Sequence, residues 1–207
     1  MVLIYPPPPT RNITPKFEVL EPGIAIERIF APTSHGSTAI GFRYYGPLHR
    51  FDHQPSGKPT VDPDRGIMYA GFSLSCCLVE VFGDRGSIDI KQQKIAHITL
   101  TQSLKLLDLR GSGAWDAGSV VAMATDGKRR LTQGWGRYFY EHPELYGQID
   151  GLMFNNAHNG ESAISLYERA EPQIVSAKTV VQDLNDPALR NKLLMIANRL
   201  NLLVEIN

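Results

Sequence analysis

Residues 66–83 read GIMYAGFSLSCCLVEVFG, and Glu80 is the only residue among them charged at neutral pH. Ile67–Gly71 has the length and apolar character of a short strand. Ser73 is a suitable N-cap, and from there the pattern turns helical, with Leu74, Cys77, Leu78 and Val81 on one face and Gly83 as the expected stop. At about 100° per residue, Glu80 falls on the shoulder of that face, about 60° from Cys77. A carboxylate inside so apolar a run is costly to bury unless a cation or several donors meet it. Either Glu80 breaks the surface at a seam, or the fold supplies it with a partner.

Tyr69 lies eleven residues before Glu80, on the preceding strand, so the two can line one pocket. A tyrosine ring offers a stacking face to a planar ligand. A glutamate can accept from sugar hydroxyls or stand beside a developing cation. The plainer reading is a core tyrosine and a surface glutamate in a structural ion pair.

The rest of the chain sets the frame. Its 207 residues suffice for a real core, and 43% hydrophobic with 20% charged residues is ordinary for a globular protein. Lys plus Arg number 21 and so do Asp plus Glu, which disfavours a general nucleic-acid or anionic-membrane binder. Cys76 and Cys77 are adjacent and form no CxxC pair, so they are expected to be buried, reduced thiols of a cytoplasmic protein. The opening MVLIYPPPPTRN lacks the pattern of a signal peptide, and Glu80 argues against a membrane span at 66–83.

Residues 1–22 read as a proline-rich arm, and 23–207 as one α+β domain of mixed or antiparallel sheet flanked by helices. Strands are expected at 23–31, 95–101, 104–109, 151–155, 163–168 and 174–184, with 53–66 as a loop. Helices are expected at 114–125 and 130–142. A last one is capped by Asn185 or Asp186 and carries Leu189, Leu193, Ile196 and Leu200 as its stripe. In the strand at 23–31, Arg28 shares a face with Ile24, Ile26 and Phe30.

Two further groups carry side chains suited to chemistry. His49, Asp52 and His53 in HRFDH are metal-ligand types, but a third convergent ligand has no motif, so a metal-dependent hydrolase is a distant reading and no metal is expected. Arg50 beside Phe51 is better suited to holding a phosphate or carboxylate. In DGLMFNNAHNGES (150–162), Asn155 and Asn156 end a strand, where amides reach a ligand or simply build a turn, with His158 and Ser162 following. The Rossmann, P-loop, hydrolase-elbow and zincin motifs are absent.

Taken in order, ERIFAP, Arg50–Phe51, the Tyr69–Glu80 segment, TQGWGRYFYE and DGLMFNNAHNGESAISLYE resemble the RES domain over most of residues 24–170. The resemblance implies a fold like that of ADP-ribosyltransferases. It also implies a toxin of a bacterial toxin–antitoxin pair that consumes NAD by phosphorolysis, hydrolysis or ADP-ribosyl transfer, with a cognate antitoxin as partner. By position, Arg28 and Arg50 would grip phosphates and Tyr69 would stack on the nicotinamide or its ribose. Glu80 would hold that ribose and stabilise the oxocarbenium-like transition state. The chain departs from the pattern in two places. Asn155, Asn156 and Ala157 stand where the family has its serine step, and the interval from Arg50 to Tyr69 is longer than usual. A scaffold that binds NAD or a partner without turnover is the alternative.

Overall fold

The computed structural model describes residues 3–34, 37–124 and 129–205. The strands are β1 (Phe17–Leu20), β2 (Ala25–Phe30), β3 (Tyr45–Gly46), β4 (Thr60–Val61), β5 (Ile67–Gly71), β6 (Ser87–Asp89), β7 (Lys94–Thr99), β8 (Leu104–Asp108), β9 (Gly151–Asn155), β10 (Ser162–Tyr167), β11 (Lys178–Asp183) and β12 (Leu203–Glu205). The helices are α1 (Leu74–Phe82), α2 (Gly113–Asp116), α3 (Arg129–Glu141), α4 (Pro143–Tyr146), α5 (Glu171–Ser176) and α6 (Pro187–Arg199).

Eight strands form the main sheet in the order β1-β8-β9-β10-β5-β2-β7-β11. All its pairings are antiparallel except β8 with β9. This mostly antiparallel sheet flanked by helices is the α+β architecture expected from the sequence. Period-2 burial divides its side chains between two cores. Tyr69, Leu107, Leu152, Phe154, Ala163 and Tyr167 face a core that holds Phe51, Trp135 and Phe139. Met68, Ala70, Leu106, Met153, Ile164 and Leu166 face the other, with Ile26, Phe30 and Ile174.

Helix α1 begins as the sequence predicts, with the Ser73 hydroxyl accepting from the Cys76 amide at 3.0 Å. Its Leu74, Leu78 and Phe82 pack into a third cluster with Leu189, Leu193 and Ile196 of α6. The helix is covered on several sides, so Ser75, Cys76 and Val79 are buried as well. The expected single apolar face is too narrow a description, and Val81, assigned to it, is 44% exposed. Glu80 and Val81 form the open flank. Gly83 follows the helix in ordinary right-handed geometry, and the left-handed residue that turns the chain is Gly86, at φ 67°.

Two expected elements divide in the structure. Residues 114–125 form α2 and a short 3-10 turn at Val121–Ala124, separated by Gly118 at φ 94°. A side chain at Gly118 would strike Pro9, and Thr125 lies outside the described residues. The strand expected at 174–184 starts only at Lys178, because Pro172 in the first turn of α5 favours a helix ahead of it. The proline-rich N-terminal segment is packed onto the domain: β1 pairs with β8, and the Trp135 indole donates to the Tyr5 carbonyl at 2.8 Å.

Candidate functional site

The site is built from three pieces: the segment 48–54, strand β5 and the outer flank of α1. Segment 48–54 is irregular, yet its backbone is held on both sides. On one side α3 supplies donors. Gln133 Nε2 reaches the His49 carbonyl at 2.9 Å, Arg129 the Leu48 carbonyl at 3.3 Å and Arg137 the Pro55 carbonyl at 3.1 Å. The approach is close because α3 presents Gly136, where an added Cβ would lie 2.8 Å from the Phe51 carbonyl oxygen.

On the other side the Asp52 carboxylate, fully buried, collects donors. Arg43 Nη2 lies 2.8 and 2.7 Å from its two oxygens, the Tyr69 hydroxyl donates to Oδ1 at 2.9 Å, and the Leu48 and His49 amides donate to Oδ2. The Tyr69 oxygen in turn accepts from the Phe51 amide at 3.0 Å. Burial, followed by the nearby Asp52 charge, raises the Tyr69 phenol well above its usual range. Tyr69 is therefore a neutral side chain whose hydroxyl is fully used, leaving the ring as the part available to a ligand. His49 meets that ring edge-on, with centroids 5.7 Å apart.

Arg50 sits between these pinned residues and is close enough to Glu80 to lower its pKa. Glu80 is solvent-exposed on one flank, but protein packed around the rest of the carboxyl raises its pKa. His158 and Arg50 oppose that rise, and Asp84 adds to it. The sequence placed Glu80 at a seam, and the structure puts it there with Arg50 and His158 near it. His158 is one the sequence reading left in an ordinary turn. Its ring lies against Gly83, where an added Cβ would come within 2.8 Å of Nδ1. A glycine just past the helix, facing a histidine turn, was the only signal for it.

Arg28 is half-buried, and its Nη1 donates to the Gly41 carbonyl at 2.6 Å. Burial first and Arg43 second pull its guanidinium down to about 10. Arg28 shares the sheet face of Ile26 and Phe30, opposite to that of Tyr69, and lies near Arg43 with the Gly41 carbonyl as its partner. Asn155 is exposed at the end of β9. Asn156 is buried and organises the turn. Its Oδ1 accepts from the amides of His158 and Asn159, both at 2.9 Å, and its Nδ2 donates to Asn159 Oδ1 at 2.6 Å and to the Cys76 sulfur at 3.3 Å. Glu161, which takes hydrogen bonds from Ser73, Ser75 and Asn159, ties the same turn to the start of α1.

The HRFDH segment has other employment than metal. Asp52 is committed to Arg43 and Tyr69, and His53 Nε2 lies 3.0 Å from Glu168 among the rings of Tyr140 and Tyr167. Burial holds His53 below its usual pKa, so it is a neutral donor to that carboxylate. Among the described residues no group of three His, Cys, Asp or Glu side chains is arranged to hold a metal ion. Both cysteines are free and buried, and burial lifts the Cys76 thiol to about 11. No described helix is long and apolar enough to cross a membrane. Two open depressions, of about 460 Å³ beside Tyr140, Glu168 and Arg169 and about 360 Å³ beside Lys91 and Asn185, are lined by none of Arg50, Tyr69 or Glu80.

A family model described as the RES domain matches residues 25–188, most of the chain, and the chain belongs to that family. The protein named "Probable toxin y4kH" from Sinorhizobium fredii is 27% identical to it over 89 residues, which cover 43% of this chain and 68% of that protein. Among solved structures, one described as the M. tuberculosis MbcT-MbcA toxin-antitoxin complex matches with a TM-score of 0.53 at 16% identity. The match covers 84% of this chain and 91% of the solved chain, and at that identity it speaks for the fold.

Proposed function

We propose that this protein cleaves the nicotinamide–ribose bond of NAD, acting in the cytoplasm as the toxin of a toxin–antitoxin pair. The observation that carries the reading is Arg50 beside an open, desolvated Glu80, with the Tyr69 ring held next to them. Nicotinamide leaves with the bonding electron pair and departs neutral, so no acid is needed at the leaving group. What is needed is an anion near the ribose C1′ as positive charge develops, together with fixed phosphates. Glu80 supplies the anion and holds the ribose hydroxyls. Arg50 and Arg28 bind the pyrophosphate or an incoming phosphate, since guanidinium forks suit phosphate oxygens. The Tyr69 ring stacks, and Asn155 offers an exposed amide at the strand end.

Support for the biological role comes from family membership and from the toxin names of a relative and a structural neighbour. An antitoxin would act by covering the mouth between Arg50 and Glu80. The test is nicotinamide release from NAD by the folded protein, with and without phosphate. Release in either condition supports the reading, and its absence from both overturns it. A second reading, NAD binding without turnover, is favoured by the Asn156 amide, which builds a turn where the family pattern has serine. Calorimetric binding of NAD without release would select it.

A further inference from the structure

We propose that Asp52 is the positioning residue of this site, one that holds Arg50 opposite Glu80 and fixes the Tyr69 ring without touching a ligand itself. The inference rests on the reading of Arg50, Tyr69 and Glu80 given above. Asp52 accepts from one guanidinium, one phenol and two backbone amides. Its partners frame Arg50: the amides of Leu48 and His49 precede it, and Phe51, whose amide donates to Tyr69, follows it.

The outer face of the segment is fixed independently by Arg129 and Gln133, at the carbonyls of Leu48 and His49. The backbone entering Arg50 is thus held through its N–H groups by Asp52 and through its C=O groups by α3. A residue framed in this way keeps its Cα fixed, within electrostatic reach of Glu80. The carboxylate suits this task because it has two oxygens, each able to accept more than once. It also neutralises Arg43, which would otherwise stand beside Arg28 as a second cation in a partly buried setting.

Asparagine at position 52 has the shape of aspartate but only one accepting oxygen. Its one oxygen can take the place of Oδ2, with the Leu48 and His49 amides, or of Oδ1, with Tyr69. In either case an NH2 group that can only donate faces the Arg43 guanidinium. Asp52→Asn is therefore expected to keep the fold and release segment 48–51, moving Arg50 away from Glu80. Nicotinamide release should fall about 30-fold in kcat/KM, the range for misplacing a substrate-holding group. If Asp52 acts through Arg50, the same change made in an Arg50→Ala background should cost clearly less than it does in the native protein, because one of the two groups it positions is already gone and only the Tyr69 ring remains to be displaced.

The experiment is this double-mutant cycle on nicotinamide release, together with a crystal structure of Asp52→Asn. Equal losses in both backgrounds, or an Arg50 unmoved in the crystal, would overturn the proposal. If the native protein releases no nicotinamide, the functional reading falls separately. The Arg50 position in the variant crystal then still decides for or against the clamp. Should Asp52→Asn fail to fold, Tyr69→Phe removes the phenol from the same network without altering charge. In that variant the Phe51 amide loses its acceptor while Asp52 keeps the Leu48 and His49 amides. An Arg50 that stays in place supports the clamp by Asp52, and a displaced one shows that Tyr69 rather than Asp52 holds it and overturns the proposal.

Discussion

Asp52, two residues along the chain from Arg50, and Glu80, within electrostatic reach of it, differ in almost every physical respect. Asp52 is fully buried and saturated with donors, and it sits against a guanidinium. Glu80 is open to solvent on one flank and has a raised pKa, with Arg50 and His158 near it but no hydrogen bond to its carboxyl among the described residues. A saturated carboxylate has no capacity left for a substrate, whereas an undersatisfied one is where a ribose hydroxyl or a cationic centre gains most. On the proposed function the first belongs to architecture and the second to chemistry, and substitutions should separate them.

The largest effect is expected at Glu80. Glu80→Gln should lower nicotinamide release about 10³-fold, the scale for removing one electrostatic contact to a transition state, while stability in urea shifts by no more than about 0.5 kcal/mol. A large stability loss with activity retained would reverse the comparison.

Asp52→Ala should do the opposite in the stability assay. It leaves Arg43 partly buried without its carboxylate and strips acceptors from the Leu48 and His49 amides. Breaking a buried pair by removing one partner costs about 3–5 kcal/mol, and the partial exposure of Arg43 points to the lower end. Gly136→Ala comes next. Its Cβ would meet the Phe51 backbone rather than a movable side-chain tip, so a loss of about 2 kcal/mol is expected, from overpacking. A neutral result in chemical denaturation would show that α3 can retreat from segment 48–54 without harm.

The same contrast explains what the sequence could and could not show. Tyr69 and Glu80 lie on one strand and the helix that follows it, so periodicity and a cap were enough to assign both elements. Asp52 was read as a metal-ligand type because its partners, Arg43 and Tyr69, converge on it only after the chain folds back through an irregular segment with no periodicity to follow. The Asn156 turn and His158 depend on which end of β9 meets α1, a matter of sheet order rather than local pattern. The division of 171–183 into a helix and a strand was marked by Pro172, a signal weaker than the Val180–Val181 run after it.

The smallest expected effect concerns pH and tests whether Glu80 owes its state to its neighbours. Its folded-state pKa is raised by burial above the ordinary value of 4.5, so the native protein binds this proton more readily than the unfolded chain. That contribution to stability is fully present below 4.5 and is lost as the pH rises through the higher folded value. The stability of the native protein relative to Glu80→Gln should accordingly fall across that window. The acid limb of nicotinamide release, which requires the ionised carboxylate, should lie above 4.5. Replacing His158 by alanine removes a neighbour that favours ionisation, so both the stability window and the acid limb should move to higher pH. An acid limb that stays in place would leave Arg50 as the one neighbour favouring the ionised form against burial and Asp84, and the two sides of the comparison would then be joined through that arginine.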